Sequence, residues 1–201
     1  MKKISIGFAL TGSFCTFERT MEQMKELVKR GYDVLPVLSY NAAQTDTRFM
    51  SANELKERVQ QITGREAILT LSQAEPIGPQ KMCDIYVVAP VTGCSLAKMA
   101  GGQFDTPALL GAKSHLRNER PLVLAVSTND GLGAAAQNIG RLLQWRNVYF
   151  VPFGQDDPFK KPRSLVADFE QLPRTIAAAL AGIQLQPMLI GSAAANASAS
   201  H

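Results

Sequence analysis

The 201-residue sequence has little of what metal sites and disulfide frameworks require. It contains three cysteines, Cys15, Cys83 and Cys94, and two histidines, His115 and His201. Neither residue type occurs at the close spacing of zinc ligands. An odd number of widely spaced cysteines also disfavours a set of structural disulfides. We therefore expect neither a metal site nor a disulfide framework.

Long apolar runs and targeting signals are also missing. No apolar run reaches the roughly 20 residues that a transmembrane helix needs. Residues 1–10 resemble a signal peptide only briefly, because Ser5 and Gly7 interrupt the apolar part, which ends by Leu10. A first buried strand explains this segment better. We expect a cytoplasmic protein that does not associate with membranes.

The usual motifs for nucleic acids and nucleotides are absent as well. The formal net charge of +4 is mild, and no basic run carries interleaved aromatic residues, so nucleic acid is a disfavoured partner. The dinucleotide pattern GxGxxG and the phosphate loop GxxxxGK[ST] do not occur. A small anionic substrate fits the charge, although most such excesses are simply solvated surface.

What the chain does contain is a regular alternation of apolar strands and amphipathic helices. Burial of the strands on both faces predicts an α/β fold, a three-layer, doubly wound and mostly parallel sheet. Residues 1–190 are predicted to form one domain, and residues 191–201 a disordered or appended tail. Strands are predicted at residues 4–10, 34–38, 67–71, 85–89, 121–126 and 148–151, helices at 17–28, 51–63, 96–100, 106–117, 134–143 and 165–180, and loops at 41–50, 72–83 and 155–163.

One stretch, from residue 85 to residue 95, combines a buried strand, a tight polar loop and a helix start. Pro90 ends the apolar run, and Thr92, Gly93, Cys94 and Ser95 precede a run of helix formers. The first N–H groups of a helix lack partners and carry partial positive charge. Such a place suits a phosphate, a carboxylate or the polar edge of a flavin ring. A simple capped turn explains this stretch, taken alone, equally well.

Small and hydroxyl-bearing residues also follow three other predicted strands. They are Thr11, Gly12 and Ser13, then Ser39, and finally Ser127 and Thr128. Open α/β sheets bind ligands at the carboxyl ends of their strands. One such loop is a weak signal, but four of them at one edge predict a crevice for a polar, phosphorylated ligand.

In their order along residues 2–155, these motifs resemble the flavoprotein family that includes the homo-oligomeric flavin-containing cysteine decarboxylases. The Gly-Ser loop of that family is similar to residues 11–13, and its Pro-x-Ser-x-Asn-Thr loop to residues 90–95. Lys98 and Asp105 are similar in spacing to a family lysine and aspartate, and residues 128–129 to a Met-Asn loop.

This resemblance implies FMN as the cofactor and a homo-oligomer, a trimer or a multiple of it. It also implies a set of cofactor-binding residues: Thr11, Gly12, Ser13, Ser39, Pro90, Thr92, Gly93, Cys94, Ser95, Ser127, Thr128 and Asn129. The FMN phosphate is expected near Ser13 and Ser39, and the flavin ring between the loops that begin at Pro90 and Ser127.

Two departures from the family pattern disfavour a flavin-dependent decarboxylase. The decarboxylases have a catalytic histidine before the loop that corresponds to residues 90–95, whereas this chain has no histidine before His115. Cys94 matches the family asparagine. The catalytic residues are left unassigned.

Three longer strings, residues 74–79, 127–133 and 149–158, are similar to the B subunits of a two-subunit enzyme that makes pyridine-2,6-dicarboxylate during endospore formation. The resemblance implies the mother-cell cytoplasm, an A subunit as partner, and oxidation of a dihydrodipicolinate-type ring. Because side chains accept no hydride, FMN on this chain is the expected acceptor, and NAD(P) on the A subunit is the alternative. The alternative is a non-catalytic subunit that stabilises or regulates its partner.

A dianionic product calls for cations, and several side chains are candidates, although each alone also suits a solvated surface. Cys94 is either a reactive thiol at a helix N-terminus or a packed side chain, and His115 is expected to be exposed and structural. Met99 and residues 104–110 are candidate interface residues. The candidate cations are Lys98, Lys113, Arg117, Lys160, Lys161 and Arg163.

Overall fold

The computed structural model describes residues 3–191. The predicted tail, residues 191–201, therefore lies outside the described residues except for Gly191. Within residues 3–191, no helix is long and apolar enough to cross a bilayer. The assignment of residues 1–190 to one domain stays a prediction.

A seven-stranded sheet forms the centre of the described chain. The first five strands pair in parallel, and the last two extend the sheet in antiparallel fashion beyond the fourth. The strands are β1 (Ser5–Leu10), β2 (Asp33–Leu38), β3 (Ile85–Val91), β4 (Leu122–Thr128), β5 (Val148–Phe150), β6 (Phe153–Gly154) and β7 (Leu165–Ala167). Their order is β2-β1-β3-β4-β7-β6, and β5 also pairs with β4. The predicted, mostly parallel α/β sheet is confirmed.

Helices flank this sheet. The helix that follows β1 packs against the last helix, and the one that follows β3 packs against the one that follows β4. The helices are α1 (Phe17–Lys29), α2 (Tyr40–Gln44), α3 (Ala52–Thr63), α4 (Leu71–Ala74), α5 (Gly93–Ala100), α6 (Pro107–Leu116), α7 (Ala136–Leu143) and α8 (Leu172–Leu180). Because helices cover the sheet, all seven residues of β3 are buried, which explains their continuous apolar run.

Local capping signals fix several helix ends where the sequence predicts them. Thr106 accepts a hydrogen bond from the Leu109 amide, and Pro107 is the first residue of α6. Ser51 caps α3 through the Glu54 amide. Gly31 follows α1 with a φ of 89°, the left-handed conformation that glycine adopts without strain.

Residues 41–50 and 67–71 differ from the prediction. The expected loop at 41–50 begins inside α2, because Ser39 accepts a hydrogen bond from the Ala42 amide and so caps a short helix. The expected strand at 67–71 is reduced to a bridge between Val37 and Ile68. A reciprocal capping box of Thr70 and Gln73 starts α4 instead.

The prediction of one helix over residues 165–180 is wrong. Residues 165–167 form β7, which pairs with β4 at Ser127 and with β6 at Phe153. Asp168 then caps a single 3-10 turn, and α8 begins at Leu172. Pro173 lies in the first turn of α8, where its missing N–H costs nothing, so it helps to start the helix.

Candidate functional site

The candidate site lies where the strand order reverses. The chain passes from β1 outward to β2 and then returns to β3 on the other side of β1. In open α/β sheets this reversal opens a crevice at the carboxyl ends of the strands. The loops that follow β1, β2, β3 and β4 meet there.

Thr11 joins the first of these loops to the third. Its hydroxyl donates to the carbonyl oxygen of Pro90 at 2.8 Å and accepts from the amide of Thr92 at 3.1 Å. Its side chain is buried, so it positions the two loops rather than reaching into solvent.

The N-terminus of α5 is built by Thr92. Its hydroxyl accepts from the Ser95 amide at 3.2 Å and donates to the Ser95 hydroxyl at 3.0 Å. The amides of Gly93 and Cys94, the first two residues of α5, have no acceptor within the helix. They are donors available to an anion or to a polar ring edge.

The loop after β4 approaches this helix closely. A Cβ atom at Gly93 would lie 2.8 Å from Thr128 Oγ1 and 2.9 Å from Asp130 Oδ1, which is closer than side chains pack. Thr128 and Asp130 hydrogen-bond to each other. Glycine at position 93 is therefore what allows the start of α5 and the β4 loop to meet.

Two adjoining cavities make up the crevice, which we call the first and second lobes. The first lobe, of about 320 Å³, lies at the ends of β1, β2 and β3. It is lined by Thr11, Gly12, Ser39, Tyr40, Asn41, Thr92, Cys94, Ser95, Lys98, Asp105, Thr106 and Leu109.

The second lobe, of about 430 Å³, lies at the ends of β1, β3 and β4. Gly12 and Thr92 line both lobes, so the two cavities meet at these residues. The second lobe is lined by Gly12, Ser13, Cys15, Thr16, Arg19, Thr92, Gly93, Ser127, Thr128, Asn129, Asp156, Lys161 and Val166.

All of the predicted cofactor residues except Pro90 line one lobe or the other, and the Pro90 carbonyl holds Thr11. Ser39 lines the first lobe and Ser13 the second, so the two serines do not share a cavity. Their role in binding a cofactor stays a prediction.

Ion pairs set the charge of each lobe. In the first lobe, Lys98 contacts both carboxylate oxygens of Asp105, at 2.7 and 2.9 Å. This hydrogen bond lowers the pKa of Asp105 and raises the pKa of Lys98. In the second lobe, Lys161 lies 3.1 Å from Asp156. Burial alone raises the pKa of Asp156, but the ion pair with Lys161 lowers it, and the net shift is downward.

The remaining candidate cations fall elsewhere. Lys113 and Arg117 line a separate groove of about 530 Å³, whose walls are largely apolar. Its other lining residues are Phe104, Leu116, Trp145 and Arg146. Lys160 and Arg163 are exposed and line neither lobe.

Two expectations about single residues are wrong. His115 is 1% exposed, and its Nε2 lies 3.1 Å from the carbonyl oxygen of Pro121, which directly precedes β4. It therefore lies at the amino edge of the sheet, opposite the crevice. Met99 is fully buried, so it does not face a second subunit directly.

The cysteines separate by environment. Cys94 is exposed and lines the first lobe, so the packed alternative does not hold, and Cys15 is exposed in the second lobe. Cys83 is buried near the start of β3, and burial raises the pKa of its thiol to about 12. At neutral pH the Cys83 thiol is therefore protonated and unreactive.

Several lining residues are missed by sequence reasoning. Tyr40 and Asn41 directly follow Ser39, so the prolonged polar exit of β2 is the signal that could have found them. Arg19 lies one helical turn from Cys15 and Thr16, on the same face of the chain. Asp156 comes from a long loop without a local pattern, whereas Lys161, in the same loop, is one of the predicted candidate cations and does line the second lobe.

Comparisons with known proteins agree with this geometry. Residues 1–166 match the family model described as Flavoprotein. The chain is 48% identical over 190 residues to the dipicolinate synthase B subunit of Bacillus subtilis (strain 168), covering 94% of this chain and 95% of that protein.

Solved structures show the same relationship. The crystal structure of the dipicolinate synthase B subunit from Bacillus halodurans superimposes with a TM-score of 0.87 at 45% identity, covering 96% of this chain and all of the other. DmrB of Burkholderia xenovorans in complex with FMN has a TM-score of 0.66 at 16% identity, covering 89% and 96% of the two chains, which shows a shared fold. The chain therefore belongs to the flavoprotein family, in which it is similar over nearly its whole length to dipicolinate synthase B subunits.

Proposed function

We propose that this chain is the FMN-binding B subunit of a dipicolinate synthase. In this role it takes part in oxidising a dihydrodipicolinate-type precursor to pyridine-2,6-dicarboxylate, together with an A subunit, in the mother cell of a sporulating bacterium. The observation that carries the proposal is the two-lobed crevice at the point where the strand order reverses, in a chain of this family.

The residues present fit FMN. A flavin mononucleotide needs hydroxyl and amide donors for its phosphate and a wider polar-edged space for its ring. The crevice supplies hydroxyls from all four loops, and the Gly93 and Cys94 amides lie at the start of α5. Gly12 lies at the junction of the lobes. A Cβ atom added there would lie 3.3 Å from the Cβ atom of Asn41, a tight contact that glycine avoids.

We assign different ends of the cofactor to different residues. Ser39, Asn41 and the first amides of α5 are the donors for the phosphate end. Thr128 and Asn129, on the loop after β4, are the donors for the ring edge, and Ser13 supports that loop through Ser127. The phosphate is thus expected nearer to Ser39 than to Ser13.

The chemistry determines what this chain contributes. Aromatisation of a dihydropyridine ring removes a hydride from carbon and a proton, two electrons in all. When bound, FMN supplies the hydride acceptor that side chains lack, and NAD(P) on the A subunit is the alternative acceptor. The residues of this chain bind the ring, orient it and limit its contact with water.

A second function, a non-catalytic subunit that stabilises or regulates the A subunit, is favoured by one observation. The histidine of the related decarboxylases has no counterpart in the described crevice, because His115 is buried at the opposite edge of the sheet. In that case the crevice persists without a catalytic role.

Absorbance spectroscopy and FMN titration separate the two functions. The purified chain, alone and with the A subunit, is titrated with FMN while flavin fluorescence and visible absorbance are recorded. Saturable binding of one FMN per chain, and formation of pyridine-2,6-dicarboxylate that depends on FMN, support the proposal. Product formation by the two subunits without measurable FMN binding would instead support the non-catalytic role.

A further inference from the structure

We infer that Arg19 and Lys161 form a carboxylate-recognition site in the second lobe. Its ligand class is a planar ring that bears two carboxylates. The inference rests on the proposed function, whose substrate and product are of this class, and it names the residues that select them.

Arg19 is held in place without an acidic partner. It lies in the first turn of α1, and its guanidinium stands 5.3 Å from the centre of the buried Phe169 ring. A cation over an aromatic face is attracted to it and loses rotational freedom. An aromatic ring accepts no conventional hydrogen bond, so this contact leaves the guanidinium N–H groups of Arg19 available to a ligand.

The charges of the crevice single out this arginine. Lys98 is paired with Asp105, and Lys161 is paired with Asp156. Among the described residues, no carboxylate lies within ion-pair distance of Arg19. Its charge therefore remains for a ligand, and its planar fork matches a carboxylate in a bidentate contact.

Lys161 supplies the second positive group. It lines the same lobe, its side chain is half exposed, and one contact at 3.1 Å holds it to Asp156. An ammonium group has three donors, so further donors remain for a second carboxylate. Two cations on one lobe suit two carboxylates on one ring better than they suit a single anionic group.

The position of the lobe favours a substrate carboxylate over the flavin phosphate. Arg19 and Lys161 share the second lobe with Thr128 and Asn129, which we assign to the ring edge of the flavin. Most of the donors assigned to the phosphate, Ser39, Asn41 and the Cys94 amide, line the first lobe, whereas Gly93 lines the second. A ring bound beside the flavin ring would therefore meet Arg19 and Lys161.

The test is calorimetric titration of pyridine-2,6-dicarboxylate into the FMN-loaded chain, with the A subunit present. The variants are Arg19→Gln, Arg19→Lys and Lys161→Gln, and the matched control is Arg30→Gln, just beyond the other end of α1, where Arg30 pairs with Glu26. Losing a charged hydrogen bond predicts about 10-fold or greater weakening for Arg19→Gln. Smaller losses are expected for Arg19→Lys and Lys161→Gln, and none for Arg30→Gln.

Two further ligands make the result specific. The preference for pyridine-2,6-dicarboxylate over pyridine-2-carboxylate should shrink in Arg19→Gln. Titrations of FMN and riboflavin should give the same affinities in Arg19→Gln as in the wild type. If Arg19→Gln weakens FMN but not riboflavin, Arg19 holds the phosphate and the inference is wrong.

The remaining outcomes separate the inference from the proposed function. If the wild type binds FMN but not the dicarboxylate, or if Arg19→Gln binds the dicarboxylate as tightly as the wild type, the inference fails and the proposed FMN site stands. If the wild type binds neither ligand, the proposed function fails as well. Circular dichroism of each variant checks that the exposed substitutions leave the fold intact.

Discussion

The hydroxyl oxygens of Ser13 and Ser127 lie 2.7 Å apart, although 114 positions separate them in the sequence. Ser13 follows β1 and Ser127 lies near the end of β4, and these strands are not neighbours, because β3 runs between them. Their loops therefore meet across the end of β3. The hydrogen bond closes one side of the second lobe and fixes the loop that carries Asn129.

Ser13→Glu should abolish FMN binding while the chain remains folded. The new carboxylate would break the bond to Ser127 and place a bulky negative group in the lobe that we assign to the flavin ring of an anionic cofactor. Ser13→Ala removes only the hydrogen bond, so a loss of several-fold is expected. Flavin fluorescence titration measures both affinities.

Ser72→Glu is the matched control for this prediction. Ser72 is exposed on α4 and lines neither lobe, so FMN affinity should not change. Equal FMN affinities of the wild type and Ser13→Glu would show that FMN does not occupy the second lobe.

Gly93→Ala should weaken FMN binding with little effect on the fold. The added methyl group would meet Thr128 Oγ1 and Asp130 Oδ1, and these side-chain atoms must move apart. The loop after β4 would then withdraw from the start of α5, which enlarges the second lobe. The measurements are FMN affinity and thermal unfolding.

Gly140→Ala is the companion substitution. Gly140 lies within α7, and nothing stands within 4 Å of an added Cβ atom. Replacing a helical glycine with alanine is expected to stabilise the chain by about 0.5–1 kcal/mol. Suppose that Gly140→Ala behaves as expected but Gly93→Ala binds FMN as tightly as the wild type. The close approach of Gly93 to the loop after β4 would then be unimportant for binding.

The parallel strands could be predicted because the signal, a continuous apolar run, lies within each strand's own residues. A strand buried on both faces must be largely apolar along its whole length, and residues 85–91 have this composition. The gathering of four loops at one edge then follows from the fold class. Caps such as Thr106 with Pro107 are likewise local, so the start of α6 is visible in the sequence.

What could not be predicted depends on distant partners. Leu165, Val166 and Ala167 are too few to show a period, and they become a strand only because β4 offers an edge at Ser127. The division of the crevice into two lobes depends on Gly12 and Thr92, which come from different loops. No local pattern reveals it.

His115 should make the stability of the protein fall at mildly acidic pH. Burial lowers the pKa of its imidazole from 6.5 to about 4. Below pH 6.5 the unfolded chain takes up a proton that the folded chain does not, so the free energy of unfolding decreases as the pH falls toward 4. The shift corresponds to at most about 3 kcal/mol.

His115→Gln isolates this contribution. Urea unfolding of the wild type and the variant is compared at about pH 7 and about pH 4.5, where carboxylates titrate alike in both proteins. The wild type should lose roughly 2–3 kcal/mol more than the variant between these two conditions. Identical losses of stability would mean that the folded chain protonates His115 at about pH 4.5 as readily as the unfolded chain does.

Trp145 should report assembly of the homo-oligomer that the family resemblance predicts. It is the single tryptophan of the chain, and it lines the apolar groove with Phe104 and Leu116. Large aromatic side chains in such a groove are typical anchors of subunit interfaces. In the FMN-free protein, its emission should shift to longer wavelength on dilution, over the same concentrations at which light scattering shows the mass falling to that of one chain. A fall in mass without a shift in emission would show that the subunit interface does not include this groove. The strongly exposed Phe159 would then be the next position to test.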